Sequence, residues 1–386
     1  MYKNNKYFKE QLESFHKIKG YFNLNSFISY KSDVIDLTYN RGEFSINWVD
    51  QYAYKRSKIS YIPSERNMVI LPEVRKVEFG NNNIRSFLFD WFDARKNYIK
   101  DERLSVLNLG VDYYYNENSD EDHIVRNHNG DSYDILLSNA SSGLQSITPL
   151  IALIDYLTIW VYKQQSNISF EQKEKMQKTD TFLYIEKIIK PYFGYTEEPT
   201  EEQLLENTEK LVDKLSHFSD TSKKEDIDDK LLSLGENFLS LKDNLSSTHN
   251  TQFIIEEPEQ NLFPETQRDL IYYLLEKLQS EREHTLSITT HSPYILYAIN
   301  NCMLGGLVSS QLEVTEKEDF LKESFLSEKS WINPKQVSVW EIDNGKIRNI
   351  QDKDNIISEN YFDKKMTEVI SEYDQILNYY KDEDER

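Results

Sequence analysis

The most restrictive feature of the chain is a short apolar run that ends in acids, Phe253-Ile254-Ile255-Glu256-Glu257-Pro258-Glu259. Such a run reads as a buried strand, and the C-terminal edge of a strand is where open α/β sheets gather their ligands. Side chains alternate along a strand, so Glu256 and Glu257 leave it in different directions. One carboxylate can serve a Mg²⁺ ion, directly or through water, while the other orients an attacking water. Taken alone, the segment reads equally well as a solvated strand end with an acidic turn. A helical pattern follows over residues 264–279, with Leu270, Ile271, Leu274, Leu275 and Leu278 inward. A second apolar strand over 285–289 then runs into Thr290-His291-Ser292-Pro293. Strand, helix, strand brings a histidine to the edge that carries the acids, where it can hydrogen-bond a terminal phosphate. A lone histidine is more often structural, and the order of elements is what changes that weighting.

The remaining chain divides by pattern. Residues 34–39 and 43–48 form a hairpin around Asn40-Arg41-Gly42, and 58–63 is a strand stopped by Pro63. Residues 83–100 read as an aromatic-rich helix. A second hairpin turns at His128-Asn129-Gly130-Asp131 and returns through 133–137. Residues 149–162 are apolar on nearly every face, as in a buried helix, with Thr148 as its cap and Pro149 in its first turn. From 164 to 250 the chain is charged and helical in period. Leu204, Leu205, Leu211, Val212 and Leu215 fall on one face, and Ile227, Leu231, Leu234, Phe238, Leu241 and Leu245 form another stripe. Pro191 and Gly194-Tyr195-Thr196-Glu197-Glu198-Pro199 interrupt it, so two to four helices are expected rather than one coiled coil. Residues 293–299 form a short helix, and 337–350 a hairpin whose Asn344-Gly345 is the strongest two-residue turn signal present. The tail over 362–380 places Phe362, Met366, Val369, Ile370, Tyr373, Ile376, Leu377 and Tyr380 on one helical face, expected to dock on the domain or on a partner. The expected organisation is 1–163, a helical insertion over 164–250, 251–350, and a C-terminal helix over 351–386.

Bulk properties narrow the class. At 386 residues, 38% of them hydrophobic and 13% aromatic, the chain can bury a substantial core in two or three units. Its longest apolar run, 149–160, is too short to span a bilayer and contains Asp155. No signal peptide is visible behind Met1, so a cytoplasmic location and no membrane association are expected. The single cysteine, Cys302, excludes an internal disulfide and a cysteine metal cage. A formal net charge of −21 argues against a basic stripe for nucleic acid. Lys55-Arg56-Ser57-Lys58 and Arg95-Lys96 are the local candidates, and they read first as exposed charge without a ligand.

A third motif, Ser138-Asn139-Ala140-Ser141-Ser142-Gly143-Leu144-Gln145, lies between a strand and a helical segment. Small hydroxyl residues and a glycine let backbone N–H groups approach an anion, and a helix N-terminus adds a favourable dipole. By itself it could be an ordinary loop. Together and in this order, the three motifs resemble those of the ABC-type ATPase superfamily, and in particular the chromosome-maintenance, recombination-repair and OLD-like ATPases, often labelled AAA-type ATPases of bacterial defence loci. Ala140–Gln145 is similar to their signature loop, Ile254–Glu259 to their Walker B strand, Gln260-Asn261-Leu262-Phe263-Pro264 to their D-loop, and Thr289–Ser292 to their switch histidine. Tyr61-Ile62-Pro63-Ser64-Glu65-Arg66 resembles a segment many defence-type members carry. The resemblance covers 58–300, interrupted by the insertion. It implies an α/β head of the P-loop type with a mixed sheet, binding ATP and Mg²⁺. By position it assigns Mg²⁺ to Glu256, water polarisation to Glu257 and γ-phosphate sensing to His291. Ser141, Ser142, Gly143, Gln145 and Asn261 would contact nucleotide, Ser141 and Gly143 reaching the γ-phosphate held by a second subunit, with Arg66 near the phosphates. It also implies a homodimer or higher oligomer closed by ATP and a separate effector, nuclease or toxin, since no nuclease signature follows His291.

One departure is large. None of the 11 glycines sits in a G-x-x-x-x-G-K-[ST] pattern, whose backbone N–H groups and lysine neutralise phosphates and whose Ser or Thr holds Mg²⁺. A segment ahead of Met1, or a partner chain, is expected to supply that loop. The alternative is a degenerate head that binds partners without hydrolysing ATP. Smaller departures are Leu144 in the signature loop and Glu256 where Asp is commoner.

Overall fold

The computed structural model describes residues 9–10, 12–14, 18–23, 25–50, 52–71, 73–74, 77, 83–128, 131–163, 170–216, 229–313, 316 and 324–380. The elements in chain order are β1 (Phe27–Lys31), β2 (Ile35–Asn40), β3 (Glu43–Trp48), β4 (Ser57–Ile62), α1 (Asn83–Ala94), β5 (Leu104–Ser105), β6 (Asp112–Asn116), β7 (Glu121–His128), β8 (Asp131–Leu136) and α2 (Ser142–Thr158). They continue with α3 (Phe170–Tyr184), α4 (Lys190–Phe193), α5 (Glu201–Ser216), α6 (Asp229–Ser246), β9 (Asn250–Glu256), α7 (Pro264–Leu278), β10 (Thr285–Thr289), α8 (Pro293–Gln311), β11 (Trp340–Asp343), β12 (Lys346–Asn349) and α9 (Tyr361–Leu377). The class is mixed α/β, with parallel and antiparallel pairing. Sheets β1-β2-β3, β5-β6-β7-β8 and β11-β12 are antiparallel. The fourth has the order β10-β9-β4, and α7 links β9 to β10.

Two compact units form. The first comprises Met1–Tyr61, Glu78–Phe87 and Leu157–Gln252. Its hairpin turns at Arg41 and Gly42, both with positive φ (49° and 86°), the geometry a two-residue hairpin loop requires. Its helices pack around Ile188, Ile189, Leu211 and Leu231, with Tyr184, Leu204 and Phe238 against them. Leu205 and Val212 are exposed, so the expected five-residue stripe on α5 is narrower than its period suggests. A five-residue π-helical stretch, Ile185–Ile189, ends α3 and turns Ile188 and Ile189 into that core. Ile227 of the second stripe, Asn129 and Gly130 of the second hairpin, and Met1 with the chain just behind it lie outside the described residues.

The second unit comprises Ile62–Val77, Leu88–Tyr156 and Phe253–Arg386. Its core includes Trp91, Tyr113, Ile124, Leu150, Ile151, Leu153, Phe253, Ile255, Leu270 and Ile271, all fully or almost fully buried. The buried pattern of β9 alternates inward at Thr251, Phe253 and Ile255, and α7 turns in Leu270, Ile271, Leu274 and Leu275. A smaller cluster of Leu296, Met303, Ile350 and Ile357 joins α8 to the segments around the C-terminal hairpin. That hairpin turns at Asn344 and Gly345, both with positive φ (48° and 74°).

Several elements differ from expectation. α2 starts at Ser142, and Pro149 lies inside it rather than in its first turn. Ser141 caps the helix instead, its Oγ accepting from the Leu144 N–H at 3.4 Å. Pro149 cannot donate to the Gln145 carbonyl, and the Ser146 carbonyl next along accepts from Arg66 Nε at 3.1 Å. α8 runs on to Gln311 instead of ending near 299. α9 forms behind an Asn360–Asp363 capping box, but none of its residues is buried and its apolar stripe is exposed except at Phe362. Among the described residues, one helical stretch, Ser142–Tyr162, is long and apolar enough to cross a membrane, and two thirds of its apolar window (67%) is buried inside the fold.

Candidate functional site

The candidate site residues singled out in the sequence, from Arg66 to His291, all fall in the second unit, and Glu257 and His291 meet there. β9 ends at Glu256, and the backbone N–H of Glu257 continues the ladder by donating to the Thr289 carbonyl at 2.9 Å. That bond fixes the ends of β9 and β10 side by side. It places Glu257 Oε1 3.9 Å from His291 Nε2. This separation is too long for a direct hydrogen bond and leaves both groups open, with His291 87% and Glu257 41% exposed at the side chain. Glu257 has φ of +42° and Asn261 of +62°. A non-glycine residue in this region carries local strain that its surroundings must hold.

Arg66 does the holding. Its side chain is fully buried, and its N–H groups reach five backbone carbonyls. Nε donates to Ser146, Nη1 to Pro63 (3.4 Å) and Glu256 (3.2 Å), and Nη2 to Glu257 (3.1 Å) and Pro258 (3.0 Å). A guanidinium has five N–H donors, so all are engaged. This corrects the expectation that Arg66 lies near the phosphates as a ligand: it sits beneath the turn, bonded to main chain. Burial pulls its pKa down to about 10, against the opposing fields of Glu259 and Glu257.

The signature-like loop lies against the same turn. A Cβ built on Gly143 would fall 2.9 Å from the Asn261 carbonyl, closer than real Cβ contacts come, so only glycine lets the start of α2 approach Asn261 at this distance. Ser141 and Ser142 are exposed at the helix N-terminus. Gln145 is not free for a ligand through its amide nitrogen. Its Nε2 donates to the carbonyls of Ser138 (2.8 Å) and Ala140 (3.0 Å), which makes it a brace of the loop.

Two residues without an assigned role at the sequence level also shape the site. Glu259 Oε1 accepts from the His291 backbone N–H at 2.6 Å, and its Oε2 is buried without a hydrogen-bond partner. Buried Gln267 donates to the Leu262 carbonyl and accepts from Ser292 Oγ, the cap of α8. The third carboxylate of Glu256-Glu257-Pro258-Glu259 was visible in the sequence, but its partner was not. Gln267 carried no local signal at all.

The described residues contain no group of three or more His, Cys, Asp or Glu side chains placed to hold a metal ion. A Mg²⁺ ion that takes one or two protein carboxylates and completes its shell with phosphate and water needs no such group. Chemically the edge offers a carboxylate able to orient water and an imidazole able to donate to an anion, and the same unit carries exposed serines at a helix N-terminus. Set against known proteins, the chain matches no family model and no curated sequence.

Proposed function

We propose that this chain is the acid-pair and signature-bearing part of an ABC-type ATPase head that closes as a dimer around ATP. In this role it drives or gates a separate effector, with defence against phage as its setting by resemblance. The observation that carries the reading is the meeting of Glu257 and His291 at 3.9 Å, with the Gly143 loop packed on Asn261 in the same unit. Three segments far apart in sequence supply a water-orienting carboxylate, a phosphate-sensing imidazole and an anion-binding helix start within one unit. Glu257 takes a proton from the attacking water and His291 hydrogen-bonds the γ-phosphate. Ser141, Ser142 and Gly143 present polar hydrogens to the nucleotide of the second subunit. Mg²⁺, held by Glu256 through water, would neutralise phosphate charge.

The test is steady-state ATP hydrolysis with Mg²⁺. Glu257→Gln is expected to lower kcat about 10²–10⁴-fold, the usual worth of a positioned general base, while ATP binding is retained. Turnover unchanged in Glu257→Gln removes that residue from the mechanism. The second reading, a non-hydrolysing interaction module, is favoured by the lack of a G-x-x-x-x-G-K-[ST] loop in the sequence. Calorimetric titration of this chain with ATP separates them, since micromolar binding contradicts the second.

A further inference from the structure

We propose that Arg66 is a positioning residue that locks the start of the signature helix and the acid turn into one body, so that movement of either displaces Glu257. The inference rests on reading this edge as ATP-hydrolysing, and it adds a device for linking the two faces of one head.

The geometry is unusual for an ordinary buried arginine. A buried guanidinium commonly pairs with a carboxylate. Here its five donors end on five main-chain oxygens from three separate stretches: Pro63, Ser146, and the consecutive Glu256, Glu257 and Pro258. One planar group thus grips the first turns of α2 and three successive carbonyls of the strained acid turn. Glu257, with its φ of +42°, lies at the centre of those three. The Gly143–Asn261 approach ties the same two segments at a second point. In the dimer proposed above, the signature loop faces the partner's nucleotide, whereas Glu257 acts on the chain's own. A rigid link between them carries the state of one nucleotide site to the acid of the other. Lysine cannot replace the clamp, because an ammonium has three donors on one point and no planar fork.

The experiment compares the native protein with Arg66→Lys by two readouts. Amide hydrogen exchange is expected to quicken about tenfold over both 141–145 and 256–261, with β6 to β8 unchanged. Loosening of only one of the two segments, or of the whole protein alike, overturns the link. Steady-state kinetics are expected to show kcat down roughly 100-fold, the cost of a misplaced reacting group, with KM for ATP unchanged. The Arg66→Lys/Glu257→Gln double variant should then be no slower than Glu257→Gln alone, as for residues acting through one group. Additive losses overturn the role in positioning Glu257. If the native protein hydrolyses no ATP, the proposed function fails while the exchange readout still decides the link. Should Arg66→Lys fail to fold, nuclear magnetic resonance of the arginine side chains in the native protein decides instead. A clamped Arg66 gives separate, slowly exchanging Nη–H signals, and a single averaged Nη signal contradicts the clamp.

Discussion

At Gly143 the side chain that is missing matters more than any that is present. The Asn261 carbonyl sits 2.9 Å from where a Cβ would be, and it is backbone, so it cannot swing aside as a flexible side chain would. Gly143→Ala must therefore push the start of α2 off the turn or distort Asn261, which already has a φ of +62°. Overpacking of this kind costs about 1–3 kcal/mol. A urea titration should show a lower midpoint at unchanged slope, with or without nucleotide. An unchanged midpoint would mean that the loop slides away freely and that the approach is not a constraint. The same reasoning separates two roles that the resemblance merged, since Gly143 is required by packing before any phosphate is considered. Arg66 makes the converse point: the resemblance sets it near the phosphates, yet every one of its donors is spent on main chain.

Elements whose signals are local were legible from the sequence. β10 spans the expected residues 285–289, the Asn344-Gly345 turn forms with both φ values positive, and α7 buries four of the five residues its period marks, Leu278 being the partly exposed one. Where two local signals compete, one of them misleads. Pro149 suggested a helix start, but Ser141 supplies the cap and the helix runs through the proline. α8 continues past 299 through Gly305 and Gly306, residues that cost a helix about 1 kcal/mol each. It tolerates them because the Trp331 indole and the Ile332 backbone occupy the space their Cβ atoms would take. Such compensation comes from chain far away and leaves no trace in a window of sequence. The bonds from Arg66 to Ser146 and the acid turn, from His291 to Glu259 and from Ser292 to Gln267 were hidden for the same reason, because each joins distant segments. α9 gives the clearest test of periodicity against burial. Its stripe of Met366, Val369, Ile370, Tyr373, Ile376 and Leu377 is exposed, so Val369→Ser or Tyr373→Ser should change stability by no more than about 0.5 kcal/mol. Met303→Ala, in a fully buried position of the neighbouring cluster, should cost about 2–5 kcal/mol. Equal costs by urea titration would show that the stripe is packed in the folded protein.

On the scale of the whole molecule, the second unit is buttressed by buried phenols, and this predicts where it fails with pH. Tyr98 donates to Asp155 at 2.8 Å and Tyr113 to Asp122 at 2.7 Å, while Tyr273 lies in the same buried region as Asp155. Burial first, and the neighbouring carboxylates second, push all three phenols well above the ordinary tyrosine value of 10.0. A folded-state pKa raised above the unfolded one means that the folded chain holds protons the unfolded chain has released. These tyrosines therefore lend their full stability below about pH 10 and lose it progressively as pH rises beyond. Arg66 acts in the opposite sense. Its folded pKa of about 10 lies below the ordinary 12.5, so its burial is disfavoured less as pH rises through that window. Three phenols against one guanidinium give a net fall. The melting temperature should hold between pH 8 and 10 and drop above it, and Tyr98→Phe should make the drop shallower while removing one hydrogen bond at neutral pH. Self-repulsion from a net charge of −21 also grows with pH, but salt screens exposed charge and leaves buried groups almost untouched. A drop that vanishes in about 1 M salt, where the screening length is near 3 Å, would assign alkaline instability to surface charge; one that persists assigns it to Tyr98, Tyr113 and Tyr273.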